Sequence, residues 1–224
     1  MTKADKVGLT PRSFAAEMAR NPIQHHTRWF VGVDPDGHNT GLAWAQATWT
    51  TPMTGPVKIE SVRGSLVRIP PRMRGLDAAD AMVDTLGERL REVATLIGGH
   101  ATLVAEAQQI YAREEMPRAE IVAKANDLLK LGLVTGAALA FARQYKWAYT
   151  SELPADWKQQ KKKEAHHSQI VRRLGDVQDV QFDTHRGLKG IPAIYGHAMD
   201  ALGLALWAAD RAAAGTLAAF TPSR

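Results

Sequence analysis

The sequence predicts an α/β fold in which a mixed sheet of five strands is flanked by helices. Apolar runs separated by turn residues fill the first third of the chain and are typical of β-strands. Later segments place apolar residues at helical spacing and alternate with short apolar runs, as expected where helices cover a sheet. The chain has 224 residues, of which 45% are hydrophobic, so it can build one substantial domain.

The first three predicted strands, at residues 29–34, 41–47 and 57–69, are joined by turns and form an antiparallel meander. Residues 1–28 are polar and basic without a sustained period. We interpret them as a partly disordered tail that can include a short helix over 13–20.

Strands and helices alternate in the rest of the chain. Residues 76–97 form an amphipathic helix, and its apolar positions recur at spacings of three and four: Ala79, Val83, Leu86, Leu90, Val93 and Ile97. A short buried strand at 101–105 follows and ends at Glu106. The remaining elements are helix 119–144, strand 146–150, helix 164–174, loop 176–190 and helix 194–213. We therefore predict one domain over 29–213, followed by a tail at 214–224.

Composition excludes some classes of protein. The absence of cysteine excludes disulfide frameworks and thiolate metal sites. No apolar run appears long enough to span a membrane and no signal peptide is evident, so we expect no membrane partner and a cytoplasmic location. The 28 Lys and Arg exceed the 23 Asp and Glu, which is compatible with a polyanionic partner such as nucleic acid.

Four residues are candidates for a metal-dependent site. Asp34 ends the first strand, Glu106 ends the fourth, and Asp200 lies in the first turns of the last helix with His197 three residues before it on the same side. If the two strands are parallel neighbours, the carboxylates converge. Oxygen-rich sites suit Mg²⁺ or Mn²⁺, and two such ions about 4 Å apart can hold the reacting oxygens of a phosphodiester. A turn-capping Asp34, a helix-terminal Asp200 and a capping or core His197 remain open as purely structural alternatives.

Basic side chains near these positions are candidates for DNA contacts, because phosphate contacts supply much of the affinity for nucleic acids. A solvated lysine face is the alternative interpretation. Trp157 either stacks on a base or anchors the loop, and we favour the anchor. The candidates are Lys158, Lys161, Lys162 and Lys163, together with Arg72 and Arg74.

Three segments carry a specific resemblance. VGVDPDGHNTGLAW resembles the first-strand motif of RuvC-type Holliday junction resolvases, LVAEAQQIY resembles their Glu-bearing strand, and HAMDALGLALW resembles their C-terminal helix of form (H/D)AxDAxAxA. NDLLKLGLVTGAALA is similar to the family's helix with a Gly-rich packing face. Residues 154–171 resemble the family's basic stretch before the penultimate helix. The similarity covers about residues 29–210, in order. The family belongs to the ribonuclease H-like superfamily, and the predicted element order agrees with that fold while leaving other α/β folds open.

The resemblance implies a crossover junction endodeoxyribonuclease that resolves four-way DNA junctions by paired symmetric cuts. Asp34, Glu106, His197 and Asp200 match the family's catalytic and metal-binding positions. It further implies two Mg²⁺ ions, with Mn²⁺ as substitute, a homodimer, and a bacterial or phage-infected cell. Tyr111 is the candidate for the family's base-stacking aromatic, although it lies further along than the family pattern.

Other functions remain open from the sequence. The same site suits a nuclease for flaps, other branched DNA or RNA–DNA hybrids, or a transposase-type nuclease. Asp34, Gly37 and Thr40 also fit the phosphate loop of actin-like or sugar-kinase ATP-binding proteins, although the second such hairpin is missing. A junction-binding protein without cleavage is a further alternative, which metal-dependent cleavage would exclude.

Overall fold

The computed structural model describes residues 23–108, 117–158, 162–187 and 191–222. The predicted helix at 13–20, Tyr111 and Lys161 lie outside these ranges. Within them the chain forms one seven-stranded sheet and five α-helices. The strands are β1 Gln24–Asp34, β2 Asn39–Thr51, β3 Lys58–Arg68, β4 Ala101–Glu106, β5 Ala148–Glu152, β6 Asp179–Phe182 and β7 His185–Arg186. The helices are α1 Gly75–Ile97, α2 Arg118–Gln144, α3 Pro154–Lys158, α4 Lys163–Arg173 and α5 Gly196–Ala213.

The sheet has the strand order β5-β4-β1-β2-β3-β6-β7. Strands β1, β2 and β3 are antiparallel, which confirms the predicted meander, while β4 is parallel to both β1 and β5. The α/β class and the mixed sheet are thus confirmed, but the predicted number of five strands is wrong. Strands β6 and β7 lie in the stretch predicted as a loop. They have four and two residues, which is too short for a recognisable alternation of apolar and polar side chains.

Several element boundaries differ from the prediction. Strand β1 begins at Gln24, so residues 24–28 of the predicted tail pair with the end of β2 in a long hairpin. Strand β5 begins at Ala148 because Lys146 has a φ of 57°, in the left-handed region, which turns the chain there. The predicted C-terminal tail also contributes pairing, since Phe220 and Tyr149 exchange two backbone hydrogen bonds.

The two faces of the sheet are covered by different helices. Val31 and Val33 of β1 pack in the core formed with α1 and α2, whereas Phe30 packs in the core formed with α5. Because side chains alternate along a strand, Gly32 and Asp34 share the α5 face with Phe30. In β4, Val104 packs on this same side, so Glu106 also lies on the α5 face. This alternation places both strand-end carboxylates under one helix.

Helix α2 covers the other face and leaves part of its apolar surface uncovered. Val134, Ala138 and Ala142 are buried against the sheet. Large apolar side chains elsewhere on the helix are exposed: Ile121, Val122, Leu129 and Leu133. By length and composition alone, Glu120–Gln144 could cross a membrane, contrary to the expectation that no apolar run is long enough. One such helix is weak evidence, because core helices of non-membrane proteins have the same properties.

Candidate active site

The carboxylates of Asp34 and Glu106 lie side by side at the carboxyl ends of β1 and β4. The parallel register pairs Val33 with Ala105, so the next residue on each strand is one of the two acids. Both side chains are buried: Asp34 is 4% exposed and Glu106 is 7% exposed. The parallel pairing on which the predicted convergence depends is therefore present.

Helix α5 reaches these carboxylates because glycines let its backbone rest directly on the sheet. A Cβ at Gly32 would lie 1.8 Å from the Ala201 carbonyl oxygen, and one at Gly41 would lie 2.0 Å from the His197 carbonyl oxygen. Any side chain at either position would push the helix away. The close contact brings His197 Nδ1 to 2.7 Å from Asp34 Oδ2, where it donates a hydrogen bond. Asp200, one turn along, is 3% exposed.

A third glycine, Gly203, is the point where the short helices α3 and α4 contact α5. A Cβ at Gly203 would lie 2.7 Å from the Trp157 ring and 2.4 Å from His166 Nε2, so α3 and α4 pack closely on the helix. Trp157 is buried, which supports its interpretation as an anchor. The packing of Trp157 directs the next residue, Lys158, into the site, where its Nζ donates a hydrogen bond to Glu106 Oε2 at 3.0 Å.

Asp200 is held by three basic groups. Lys163 Nζ lies 3.1 Å and Lys158 Nζ 3.6 Å from Asp200 Oδ2. His167 Nε2 donates to Asp200 Oδ1 at 3.0 Å. Each donor is brought in by α3 or α4, so the position of Asp200 depends on the packing of both short helices.

The four predicted site residues are therefore brought together, and two of the predicted DNA-contacting lysines, Lys158 and Lys163, lie among them. Lys162 is exposed at the start of α4. Arg72 and Arg74 lie in the turn before α1, and Arg74 Nη1 donates to the Met73 carbonyl at 3.0 Å. Sequence reasoning missed His167. Its position four residues after Lys163 on one helix is the signal that could have indicated it, since such residues share a face.

Asp36, which stands where the resolvase motif has glycine, acts as a turn residue. Its Oδ1 accepts hydrogen bonds from the backbone N–H groups of His38 and Asn39, each at 2.9 Å. This arrangement is typical of Asp in a tight turn. Its other oxygen, Oδ2, lies 3.9 Å from His197 Nε2, which places Asp36 at the edge of the site.

Burial and mutual repulsion shift the carboxylates in different directions. Burial raises the pKa of Glu106 to about 7, with a further contribution from the charge of Asp34, although Lys158 opposes the rise. Burial also raises the pKa of Asp34, against the hydrogen bond from His197. Burial acts the same way on Asp200, but His167, Lys158 and Lys163 together lower its pKa to about 2. Three carboxylates thus lie close together, and two of them, Asp34 and Glu106, ionise less readily than exposed carboxylates do.

The basic groups in the cluster respond to this charge. The hydrogen bond to Asp34 raises the pKa of His197, opposed by its partial burial. Burial would lower the pKa of Lys158, but the charges of Glu106, Asp200 and Asp34 outweigh it and raise this pKa. Both side chains therefore favour their cationic forms beside the carboxylates.

Comparisons with known proteins bear on the fold. No family model matches the sequence, and no curated protein sequence matches it. A structure of Thermus thermophilus RuvC superimposes with a TM-score of 0.56 at 21% identity, covering 86% of this chain and 99% of that one. The fold is ribonuclease H-like.

Two further structures are similar. Thermus thermophilus RuvC in complex with Holliday junction substrate gives a TM-score of 0.54 at 20% identity, again covering 86% of this chain and 99% of that one. The yeast mitochondrial Holliday junction resolvase Ydc2 gives a TM-score of 0.47 at 16% identity, covering 90% of this chain and 86% of that one. At these identities the similarity confirms the predicted resemblance at the level of the fold.

The donor set suits a hard divalent cation, but its present geometry is that of an ion-pair network. Among the residues that the structure describes, no three His, Cys, Asp or Glu side chains are arranged as ready metal ligands. The ammonium group of Lys158 lies between the Glu106 and Asp200 carboxylates, and that of Lys163 pairs with Asp200. Three buried carboxylates nevertheless provide the oxygen ligands that Mg²⁺ and Mn²⁺ prefer. The pKa values of Asp34 and Glu106 are raised, so a cation bound beside these carboxylates would stabilise their ionised forms. Metal binding then requires the Lys158 side chain to turn aside.

Proposed function

We propose that this protein is a divalent-metal-dependent endonuclease that cuts four-way DNA junctions. The observation that carries the proposal is the convergence of Asp34, Glu106 and Asp200, buried at one end of the sheet and surrounded by lysine and histidine side chains. Buried acids with raised pKa values at one end of a sheet mark a candidate functional site, and neighbouring lysines suit a phosphate-bearing substrate.

Each residue has a role in this proposal. Asp34, Glu106 and Asp200 would hold Mg²⁺ or Mn²⁺, two ions per site. When bound, the metal would supply an activated water and stabilise charge on the phosphate. His197, held by Asp34 at 2.7 Å, would exchange a proton with water at its other ring nitrogen, Nε2. Lys158 and Lys163, once released from the carboxylates, bind the phosphate oxygens of the strand.

A homodimer follows from the proposed substrate, since a four-way junction is resolved by two symmetric cuts. Helix α2 provides a surface for it. The side chains of Leu129 and Leu133 are exposed there, and among the residues that the structure describes a Cβ at Gly132 or Gly136 would meet no atom of another element within 4 Å. A second α2 could therefore approach these glycines closely.

Sedimentation tests the dimer. We expect Leu129→Glu to convert a dimer to a monomer, because a charge would be buried in the interface. Leu96→Glu, at a still more exposed leucine on α1, is the matched control and should leave the dimer intact. A wild-type monomer at micromolar concentration, or a dimer that survives Leu129→Glu, would contradict this surface.

The function itself is tested by cleavage of a labelled four-way junction, beside duplex, flap and RNA–DNA hybrid controls. Wild-type protein and Asp34→Asn would be compared with Mg²⁺ and with chelator. We expect paired symmetric nicks that need the metal, and a variant that binds the junction without cutting it. Cleavage restricted to flaps or hybrids would keep the site and replace the substrate. No metal-dependent cleavage by the folded wild-type protein would refute the proposal.

A further inference from the structure

A cavity of about 290 Å³ lies between the β1–β2 turn and the helices α1 and α2, at the same end of the sheet as the carboxylate cluster but on its opposite face. Its floor is made of small apolar side chains, among them Ala78, Ala79 and Val134, which are buried. Its rim carries charged side chains from all three elements. The cavity takes no part in the chemistry assigned to the cluster.

The cavity and the cluster share one wall. Asp36 lines the cavity, and its Oδ2 lies 3.9 Å from His197 Nε2, while the other ring nitrogen of His197 bonds Asp34. A DNA strand with a phosphate at the carboxylates therefore has its neighbouring nucleoside within reach of the cavity mouth.

The lining matches the chemistry of a nucleobase. An apolar floor accepts a flat ring, and the volume lies at the lower limit of small-molecule pockets. The Arg74 guanidinium stands at the wall, 3.5 Å from the His38 ring nitrogen. A guanidinium plane stacks on bases, and it also binds phosphate. Lys130 and Asp127 also line the cavity, where Lys130 donates to Asp127 at 2.9 Å, so the lining contains a donor and an acceptor.

We propose that this cavity is a subsite for a single unpaired nucleobase of the DNA strand that is cut. The proposal rests on the proposed nuclease function and adds a second determinant to it. Enzymes that act on nucleic acid commonly extrude a base into a pocket, and the unstacking cost is smallest where the base is already unpaired. The identity of the base that fits would then set which sequences are cut.

The test uses 2-aminopurine, placed in turn at each position flanking the cut phosphate of a four-way junction, with the full-length protein in chelator so that no strand is cut. The fluorescence of this base rises when it leaves the stack. We expect a rise at one position with the wild-type protein. Ala79→Leu fills the floor of the cavity and should abolish the rise while junction affinity, measured by anisotropy, stays within a factor of about two, because phosphate contacts dominate affinity.

Two variants make the comparison independent of folding defects. Ala140→Leu adds the same volume at an exposed position of α2, outside the cavity lining, and should retain the rise. Gly37→Leu narrows the cavity from the turn, where a Cβ meets no atom within 4 Å, and should lose the rise without stressing the core.

The outcomes separate this inference from the nuclease proposal. If the wild type cuts junctions in Mg²⁺ but no position brightens, or if Ala79→Leu and Gly37→Leu brighten as fully as the wild type, the base subsite is refuted and the nuclease stands. If one position brightens and both filling variants lose the signal, the subsite is supported whether or not cleavage is seen. Failure of the wild type to bind any branched DNA would overturn both.

Discussion

Substituting Gly41 by alanine perturbs the contact that brings α5 to the sheet. The new Cβ would lie 2.0 Å from the His197 carbonyl oxygen, 2.2 Å from its carbonyl carbon and 2.7 Å from the Ala198 nitrogen. All three are backbone atoms, so no side-chain rotation relieves the overlap. Ordinary contacts begin near 3.4 Å, and the first turn of α5 must therefore retreat by about 1.4 Å. That movement would stretch the 2.7 Å hydrogen bond from His197 to Asp34 beyond bonding distance.

The expected cost is about 2 kcal/mol or more of unfolding free energy, the typical effect of overpacking a rigid core. For a chain of this size the loss corresponds to a melting temperature lower by roughly 4–8 °C. Gly37→Ala is the matched control, four residues earlier in the β1–β2 turn, where a Cβ meets no described atom within 4 Å and φ is not in the left-handed region. It should be neutral or raise stability by about 0.4–1 kcal/mol, because alanine restricts the unfolded chain.

Calorimetry and urea unfolding measure both variants, and junction cleavage reports the active site. We expect Gly41→Ala to lose most activity even at a temperature where it is fully folded, while Gly37→Ala keeps the wild-type rate. A Gly41→Ala protein as stable and as active as the wild type would refute the reasoning that α5 is positioned by direct backbone contact with β2.

Three further predictions concern the charges of the site. Glu106→Gln should gain stability relative to the wild type as the pH rises from about 4.5 to 7, by at most about 3 kcal/mol. The reason is that the pKa of Glu106 is raised to about 7 in the folded protein, so the wild type loses stability once this residue ionises in the unfolded chain. Urea unfolding of both proteins at pH 4 and pH 8 checks this, and the same stability difference at both pH values would contradict it. Lys158→Met should destabilise the metal-free protein by roughly 3 kcal/mol, since it leaves buried carboxylates uncompensated, whereas exposed Lys162→Met should change stability by less than about 0.5 kcal/mol. Magnesium should raise the melting temperature of the wild type, because about 2.7 kcal/mol of stabilisation is expected at a metal concentration 100 times the dissociation constant. Asp200→Asn should remove this shift. An equal shift in both proteins would place the metal elsewhere.

Much of the fold could be predicted because its signals are local. The alternation of apolar residues and turns predicts the meander, and an amphipathic pattern of about six turns predicts α1 almost to the residue. The convergence of Asp34 and Glu106 follows once β1 and β4 are parallel neighbours, since strand ends of that kind meet at one sheet edge. His197 and Asp200 share a helix face by spacing alone.

Other features depend on contacts between distant parts of the chain. The entry of Lys158 into the cluster is set by the packing of Trp157 against Gly203, and neither residue alone indicates it. The bond from His167 to Asp200 needs α4 to lie against α5. Strand β6 is held by pairing with the outer edge of β3, and β7 by pairing with β6, rather than by their own sequence patterns. The cavity beside Asp36 arises from three separated segments.

The most direct test of the central claim compares two aspartates of α5 in the junction-cleavage assay. Asp200 is buried in the cluster, and Asp210 lies near the end of the same helix, paired with Arg173 at the surface. We predict that Asp200→Asn abolishes Mg²⁺-dependent cleavage while retaining junction binding and the fold, and that Asp210→Asn cleaves at the wild-type rate. Wild-type cleavage by Asp200→Asn would contradict the assignment of the buried carboxylates as the catalytic site.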